Sequence, residues 1–404
     1  MNIAVPASPA LIYWSEGGAT QSALWRSESG NPPPRRVLIA DDRLSADVAY
    51  RLIREGAALL WRGDFQNARQ LLHALTRRVE AKPSQQRRVA KPPVAMGGVL
   101  DKAASYEATS YEASSLAAVF NQHRQLQARR AQMLSMVLIP LEADFSITLR
   151  RAPDIREACK AAYGESSHAS VVSLRELQGL IGAHEWRKKG VTVLTLGDRI
   201  YPHYGVFAPI RGEYVGLVAE APLPATTLAF DIGTGTGVLA AVLAQRGVAR
   251  IVATDQDPRA LACARENIAR LGYAKQVEVI AANMFPSGRA PLVVCNPPWV
   301  PAQPSSSIEY AVYDPESRML HSFLNGLAAH LTPGGEGWLV LSDLAEHLGL
   351  RTRAELLAAF SATGLKVVGR SEVRPRHPRA ADVHDPLHKA RAAEVTSLWR
   401  LASG

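Results

Sequence analysis

The sequence predicts an α/β fold in which a mostly parallel sheet carries helices on both faces, preceded by a mainly helical accessory region. Two observations carry the sheet. From about residue 200 onward, short β-branched runs alternate regularly with helix-length segments, as parallel strands joined by crossover helices require. Four successive runs, at "FDIGTGTG", "ATDQDP", "AANMFP" and "CNPPW", also end in polar or glycine-rich sequence. In such sheets ligands bind outside the carboxyl ends of the strands.

Taken in order, residues 1–35 close on "NPPPRR" and read as a poorly ordered N-terminus. Residues 36–81 read as a small helical unit behind one short strand. Ser45 and Asp64 stand as N-caps, and Phe65, Ala68, Leu71, Leu72, Leu75 and Val79 recur at helical spacing. Residues 82–118 are rich in Pro, Gly, Ser and charge and carry the near-duplication "SYEATSYEASS", so they read as a flexible linker. Residues 119–200 read as basic accessory helices with a strand, ending in the cluster Arg187, Lys188 and Lys189. Lysine and arginine at a helix end serve the macrodipole or meet phosphates, and the sequence leaves both open. Residues 201–404 hold the sheet: seven strands, the last two following one another without a helix and forming an antiparallel edge.

Composition narrows the class. The chain has 404 residues with a formal net charge of +9. Residues 1–200 carry 27 Lys+Arg against 19 Asp+Glu, whereas 201–404 carry 19 against 18, so nearly all the excess basicity is N-terminal. A polyanionic partner such as RNA is the expectation from that surplus. No apolar run approaches the roughly 18 residues of a membrane span, and no basic and apolar leader opens the chain, so a cytoplasmic protein without a membrane partner is expected. Cys159, Cys263 and Cys295 are scattered without metal-ligand spacing, and no metal is expected.

Gly233, Gly235 and Gly237 allow a tight turn from strand to helix and a close backbone approach to a ligand. Their spacing is G-x-G-x-G, which is not the spacing of NAD-binding turns. Asp255 closes the next strand, where a carboxylate accepts hydrogen bonds from both hydroxyls of a ribose. Asn296 and Pro297 offer two acceptors on a stiffened turn, suited to gripping a planar NH2 group, and Trp299 offers a face for stacking a base or amide.

Together "DIGTGTG", the acidic second strand end and "NPPW" after the fourth strand resemble the class I S-adenosylmethionine-dependent methyltransferases of the amino-methylating group, over about residues 200–404. The resemblance implies a seven-stranded Rossmann-like sheet and S-adenosylmethionine as cofactor. It also implies that Asp231, Gly233, Gly235 and Gly237 lie along the amino-acid end of the cofactor, Asp255 at its ribose and Asn283 near its adenine. Tyr204 and Phe207, in the segment that covers the cofactor, are expected to line the target pocket. Two substrates fit. An N-terminal region before the catalytic domain resembles ribosomal RNA guanine methyltransferases and implies an exocyclic amine of RNA. "NPPWVP" with "AVYDPESRML" resembles the release-factor glutamine methyltransferases and implies a protein substrate. A methyltransferase-like binding module without activity is the third reading, and the intact glycines, Asp255 and Asn296 weigh against it.

Overall fold

A computed structural model describes residues 10–80, 102–210, 212–304, 309, 311–375, 382 and 385–404, with backbone alone over 102–115. The chain divides into two compact units, one of residues up to 111 together with 122–183, the other of 112–121 with 184–404.

The first unit is itself α/β. Its elements are β1 (Leu11–Glu16), β2 (Ala19–Arg26), β3 (Arg36–Ala40), α1 (Ala46–Arg54), β4 (Ala57–Trp61), α2 (Phe65–Glu80), α3 (Lys102–Leu134), β5 (Val137–Leu141), α4 (Arg156–Tyr163), β6 (Ser170–Ser173) and α5 (Leu174–Lys189), the helices α3 and α5 being shared between the units' residue ranges. The six strands run in the order β1-β2-β6-β5-β4-β3.

This unit differs from three sequence expectations. Residues 10–35 are ordered: β1 and β2 form an antiparallel hairpin turning at Gly17 and Gly18, both at positive φ, with Ile12 buried beneath it. A glycine pair between two alternating runs is a hairpin signal that the proline run overshadowed; residues 1–9 lie outside the described residues. Residues 36–81 contain two parallel strands, because "AALLW" is buried at every position as β4. A continuous apolar run has no period that separates a buried strand from a helix. The span 82–118 is not one linker, since 102–118 belong to α3, whose 33 residues contain neither Pro nor Gly; residues 82–101 lie outside the described residues. Ser45 does cap α1, accepting from Val48 N, and Asp64 accepts from Gln66 N at the start of α2.

The second unit adds the short hairpin β7 (Val191–Val193) and β8 (Asp198–Ile200), then α6 (Glu213–Glu220), β9 (Leu228–Ile232), α7 (Val238–Gln245), β10 (Arg250–Asp255), α8 (Pro258–Arg270), β11 (Val277–Ala281) and β12 (Ala290–Cys295). It ends with α9 (Arg318–His330), β13 (Leu331–Ser342), α10 (Leu344–His347), α11 (Arg353–Ala362), β14 (Leu365–Val373), α12 (His388–Ala393) and β15 (Thr396–Ser403). Its seven strands run β11-β10-β9-β12-β13-β15-β14. The first five are mutually parallel, and β15 inserts antiparallel between β13 and β14; contrary to the sequence expectation, β14 and β15 are not directly consecutive, since α12 lies between them.

Alternation fixes which residue faces which layer. On β9 and β12, Ala229, Leu292 and Val294 pack towards α6 and α7, while Phe230, Ile232, Val293 and Cys295 pack towards α9 and α11. Helix α7 is buried from Val238 to Ala244, which explains its uniformly apolar sequence. The chain leaves β9 in one direction to β10 and β11, then returns to the other flank of β9 as β12. That reversal opens a crevice at the carboxyl ends of β9 and β12, the place where open α/β sheets hold ligands.

Candidate active site

The crevice is lined by the ends of β9, β10 and β12 and by Gly205, Val206 and Phe207 from the segment before α6. Asp231, on β9, is buried at 1% exposure. Its Oδ2 accepts from Thr234 Oγ1 at 2.6 Å and from Ala240 N at 3.1 Å, which ties the strand to the first turn of α7. Burial pushes its carboxyl up to about 6, against those two bonds.

The glycines divide by role. Gly233 (φ +70°) borders the crevice, and a Cβ there would stand 2.6 Å from Met319 Cε across it. Gly235 (φ +55°) also borders it, with its N–H donated to Asp255 Oδ2 at 3.0 Å. Gly237 (φ +81°) does not border it. That residue starts α7 against α8, where a Cβ would press to 3.3 Å from Ala264 Cα. Asp255 accepts a second bond on Oδ1 from Asp257 N, also at 3.0 Å, so its carboxylate is held by backbone on both sides of the crevice rim.

Asn296 follows β12 and borders the crevice, as does Pro298; Pro297 is buried. Trp299 does not border it. Its ring packs with Val300 and Leu348, and its Nε1 donates to Asn296 Oδ1 at 2.9 Å. Trp299 is half-buried beside the catalytic turn, packed against the apolar cluster that holds Leu348, Leu387 and Ala390, and it lies outside the crevice lining where stacking was expected.

The other expected residues separate similarly. Phe207 borders the crevice, but the Tyr204 ring lies 5.6 Å from the Arg259 guanidinium outside the lining. Asn283 is exposed. Ala282 and Met284 border the crevice on either side of it, and Asn283 itself is not among the residues that line it. In the basic cluster, Arg187 bridges to Glu266 at 3.0 Å, and Glu266 also meets His203 Nε2 at 2.6 Å. Burial works against ionisation of Glu266, and its bonds to His203 and Arg187 outweigh it, holding the carboxyl below its ordinary range. Lys188 pairs with Glu185 at 3.3 Å, and Lys188 and Lys189 are exposed.

Sequence reading missed a second structural acid. Asp314 is 5% exposed; its oxygens accept from Met319 N at 2.9 Å and Leu320 N at 3.2 Å, capping α9. Burial raises its carboxyl despite those bonds. Its own N–H donates to Val300 O, and Val300 N to Val312 O, so the turn after Trp299 is fastened to the helix that delivers Met319 to the crevice. The signal was the Asp-Pro step just ahead of an apolar helical run. Thr234, which holds Asp231, was also passed over.

Residues 215–365 match the family model described as methyltransferase small domain. A release factor glutamine methyltransferase of Cereibacter sphaeroides is 38% identical over 130 residues, 31% of this chain and 43% of that protein. A tRNA1(Val) (adenine(37)-N6)-methyltransferase of Bacteroides fragilis is 30% identical over 158 residues, 35% of this chain and 66% of that protein. The chain thus spans less than half the length of the first of these relatives. Among solved structures, a ribosomal protein L11 methylase from Lactobacillus delbrueckii subsp. bulgaricus superposes with a TM-score of 0.36 at 16% identity, over 51% of this chain and 86% of that one.

Proposed function

We propose, on the premise that residues 215–365 are a methyltransferase small domain of the S-adenosylmethionine-dependent class, that the chain is an N-methyltransferase acting on a planar exocyclic amine, most readily that of adenine or guanine in RNA. The observation that carries this reading is the position of Asn296, which borders the same crevice as Asp231, Gly233, Gly235 and Asp255.

The crevice fits the cofactor of that class. Glycine at 233 keeps open a space that a Cβ would fill against Met319, and Asp255 is braced by two backbone N–H groups at the end of the neighbouring strand. In this reading Asp231, Gly233 and Gly235 border its amino-acid end and Asp255 holds its ribose. S-adenosylmethionine, when bound, supplies an electrophilic methyl group on a sulfonium. The protein's part is to present a nitrogen to it. An exocyclic NH2 conjugated with a ring or carbonyl is a poor nucleophile. Asn296 Oδ1 and the Pro297 carbonyl each accept from it, orienting the nitrogen and raising its electron density. Phe207, Pro298, Ala311 and Met319 add apolar surface to the crevice that Asn296 borders, which suits a flat uncharged group better than an ammonium.

RNA is favoured over protein by the basic surplus of residues 1–200. It is supported too by the larger share, 66%, over which the chain matches a tRNA adenine methyltransferase. A glutamine methyltransferase acting on a protein is the second reading, favoured by the 38% identity to a release factor enzyme; a carboxamide NH2 presents the same planar group to Asn296. The test is transfer of labelled methyl from S-adenosylmethionine into total RNA and total protein from cells lacking the chain. Label in RNA is expected; label in protein alone selects the second reading, and label in neither removes both.

A further inference from the structure

The hydrogen bond inside the Asn296–Trp299 turn gives the indole a task other than stacking. Indole Nε1 carries a hydrogen and no lone pair, so it only donates. The amide atom facing it at 2.9 Å must therefore be oxygen, and the identity of the two ends of the Asn296 side chain is fixed by chemistry. An asparagine at a crevice edge otherwise has two amide orientations of the same shape, only one of which presents an acceptor in a given direction. Trp299 is half-buried and packs against the apolar cluster that includes Val300, Leu348 and Leu387, and the Val300–Asp314 backbone bond fastens the turn to α9.

We infer that Trp299 is a positioning residue, whose indole N–H locks the Asn296 amide with Oδ1 as the acceptor and leaves the second lone pair of that oxygen for the target NH2. The inference rests on the reading of Asn296 as the acceptor for that amine. It separates from a stacking role sharply, because phenylalanine keeps a ring and loses the N–H.

The experiment is a cycle of Trp299→Phe, Asn296→Ala and the double variant, with initial rates measured on whichever pool, RNA or protein, the wild type labels, and with S-adenosylmethionine titrated calorimetrically. Trp299→Phe is expected to lower kcat about 3- to 12-fold, the scale of one net hydrogen bond, with the KM for the acceptor and the cofactor affinity unchanged within about twofold, as for an interaction felt in the transition state. Added to Asn296→Ala it is expected to change nothing further, since the residue it orients is gone. Multiplying effects in the double variant, or a rise in KM with kcat intact, would overturn the inference in favour of stacking or packing.

A second readout needs no acceptor. The Trp299 indole N–H resonance, assigned by its loss in Trp299→Phe, is expected to shift upfield and to exchange faster with water in Asn296→Ala. An unmoved resonance overturns the hydrogen bond. Absence of labelling by the wild type itself would instead remove the methyl-transfer reading and leave this second readout to decide the inference.

Discussion

The backbone N–H of Gly235 donates to Oδ2 of Asp255 across 3.0 Å, joining the turn after β9 to the end of β10. Asp257 N occupies the other carboxylate oxygen at the same distance. The carboxylate proposed to hold a ribose is therefore also the brace of the glycine turn, and the two functions fail together. Asp255→Ala should weaken S-adenosylmethionine binding by about 1–3 kcal/mol, the scale of leaving polar partners unsatisfied, while Asp255→Asn, which keeps one oxygen acceptor, should lose less. Calorimetric titration checks the order; an unchanged dissociation constant in the alanine variant removes Asp255 from the site.

Asp231 makes stability depend on pH in an unusual direction for a carboxylate. Burial raises its folded value to about 6 from an ordinary 3.8, so the native state binds its proton more tightly than the unfolded chain does. Its contribution is fully present below the unfolded value and is lost as pH rises from about 4 through about 6. Asp231→Asn should therefore gain stability relative to wild type as pH rises across that window, by roughly 3 kcal/mol at the top of it, the equivalent of two pKa units. Denaturant unfolding at pH 4, 5, 6 and 7 measures the difference; a constant offset would contradict the assignment.

Gly233 and Gly237 should fail differently on substitution by alanine. Both sit at positive φ, which costs a non-glycine residue about 1–2 kcal/mol. At Gly237 the added carbon meets α8 backbone, so the loss should appear mainly as a lowered melting temperature. At Gly233 it meets the end of the Met319 side chain inside the crevice, so the loss should appear mainly in cofactor affinity. Thermal denaturation and titration of both variants decide, and equal effects on both readouts would contradict the division.

The basic cluster should divide as well. Arg187 is engaged with Glu266, so Arg187→Ala should cost up to about 1 kcal/mol of stability and leave the salt dependence of RNA binding alone. Reversing the exposed Lys188 and Lys189 to glutamate should flatten the slope of log affinity against log salt by up to about two, near one per phosphate contact. Equal slopes for wild type and the lysine double variant would make the cluster a helix end only.

The sequence made the site legible wherever strand ends supply it. Asp231, Gly233, Gly235, Asp255 and Asn296 each terminate or follow a strand, and parallel topology brings those ends to one edge, so their convergence at the crevice needed no knowledge of packing. Side-chain direction at turns was not legible. Asn283 and Tyr204 lie next in sequence to lining residues without lining the crevice themselves; Asn283 is exposed and the Tyr204 ring lies 5.6 Å from the Arg259 guanidinium. Long-range pairing was equally hidden: Arg187 meets an acid 79 residues away, and Asp314 becomes part of the site only through its bonds to Val300 and Met319. In the N-terminal unit, β4 was hidden because a fully buried strand has no polar face to reveal its period.

In the proposed reaction Asn296 holds the nitrogen that receives the methyl group, while the cofactor is bound by other residues. The most direct measurement pairs initial rates of methyl transfer with S-adenosylmethionine titration for Asn296→Ala. The expected rate is lower by about 10²–10³, the usual cost of one polar contact aimed at a reacting group, with the cofactor dissociation constant near that of the wild type. A wild-type rate with intact cofactor affinity would contradict it, leaving the turn from Asn296 to Trp299 as scaffold and the target amine held by other groups.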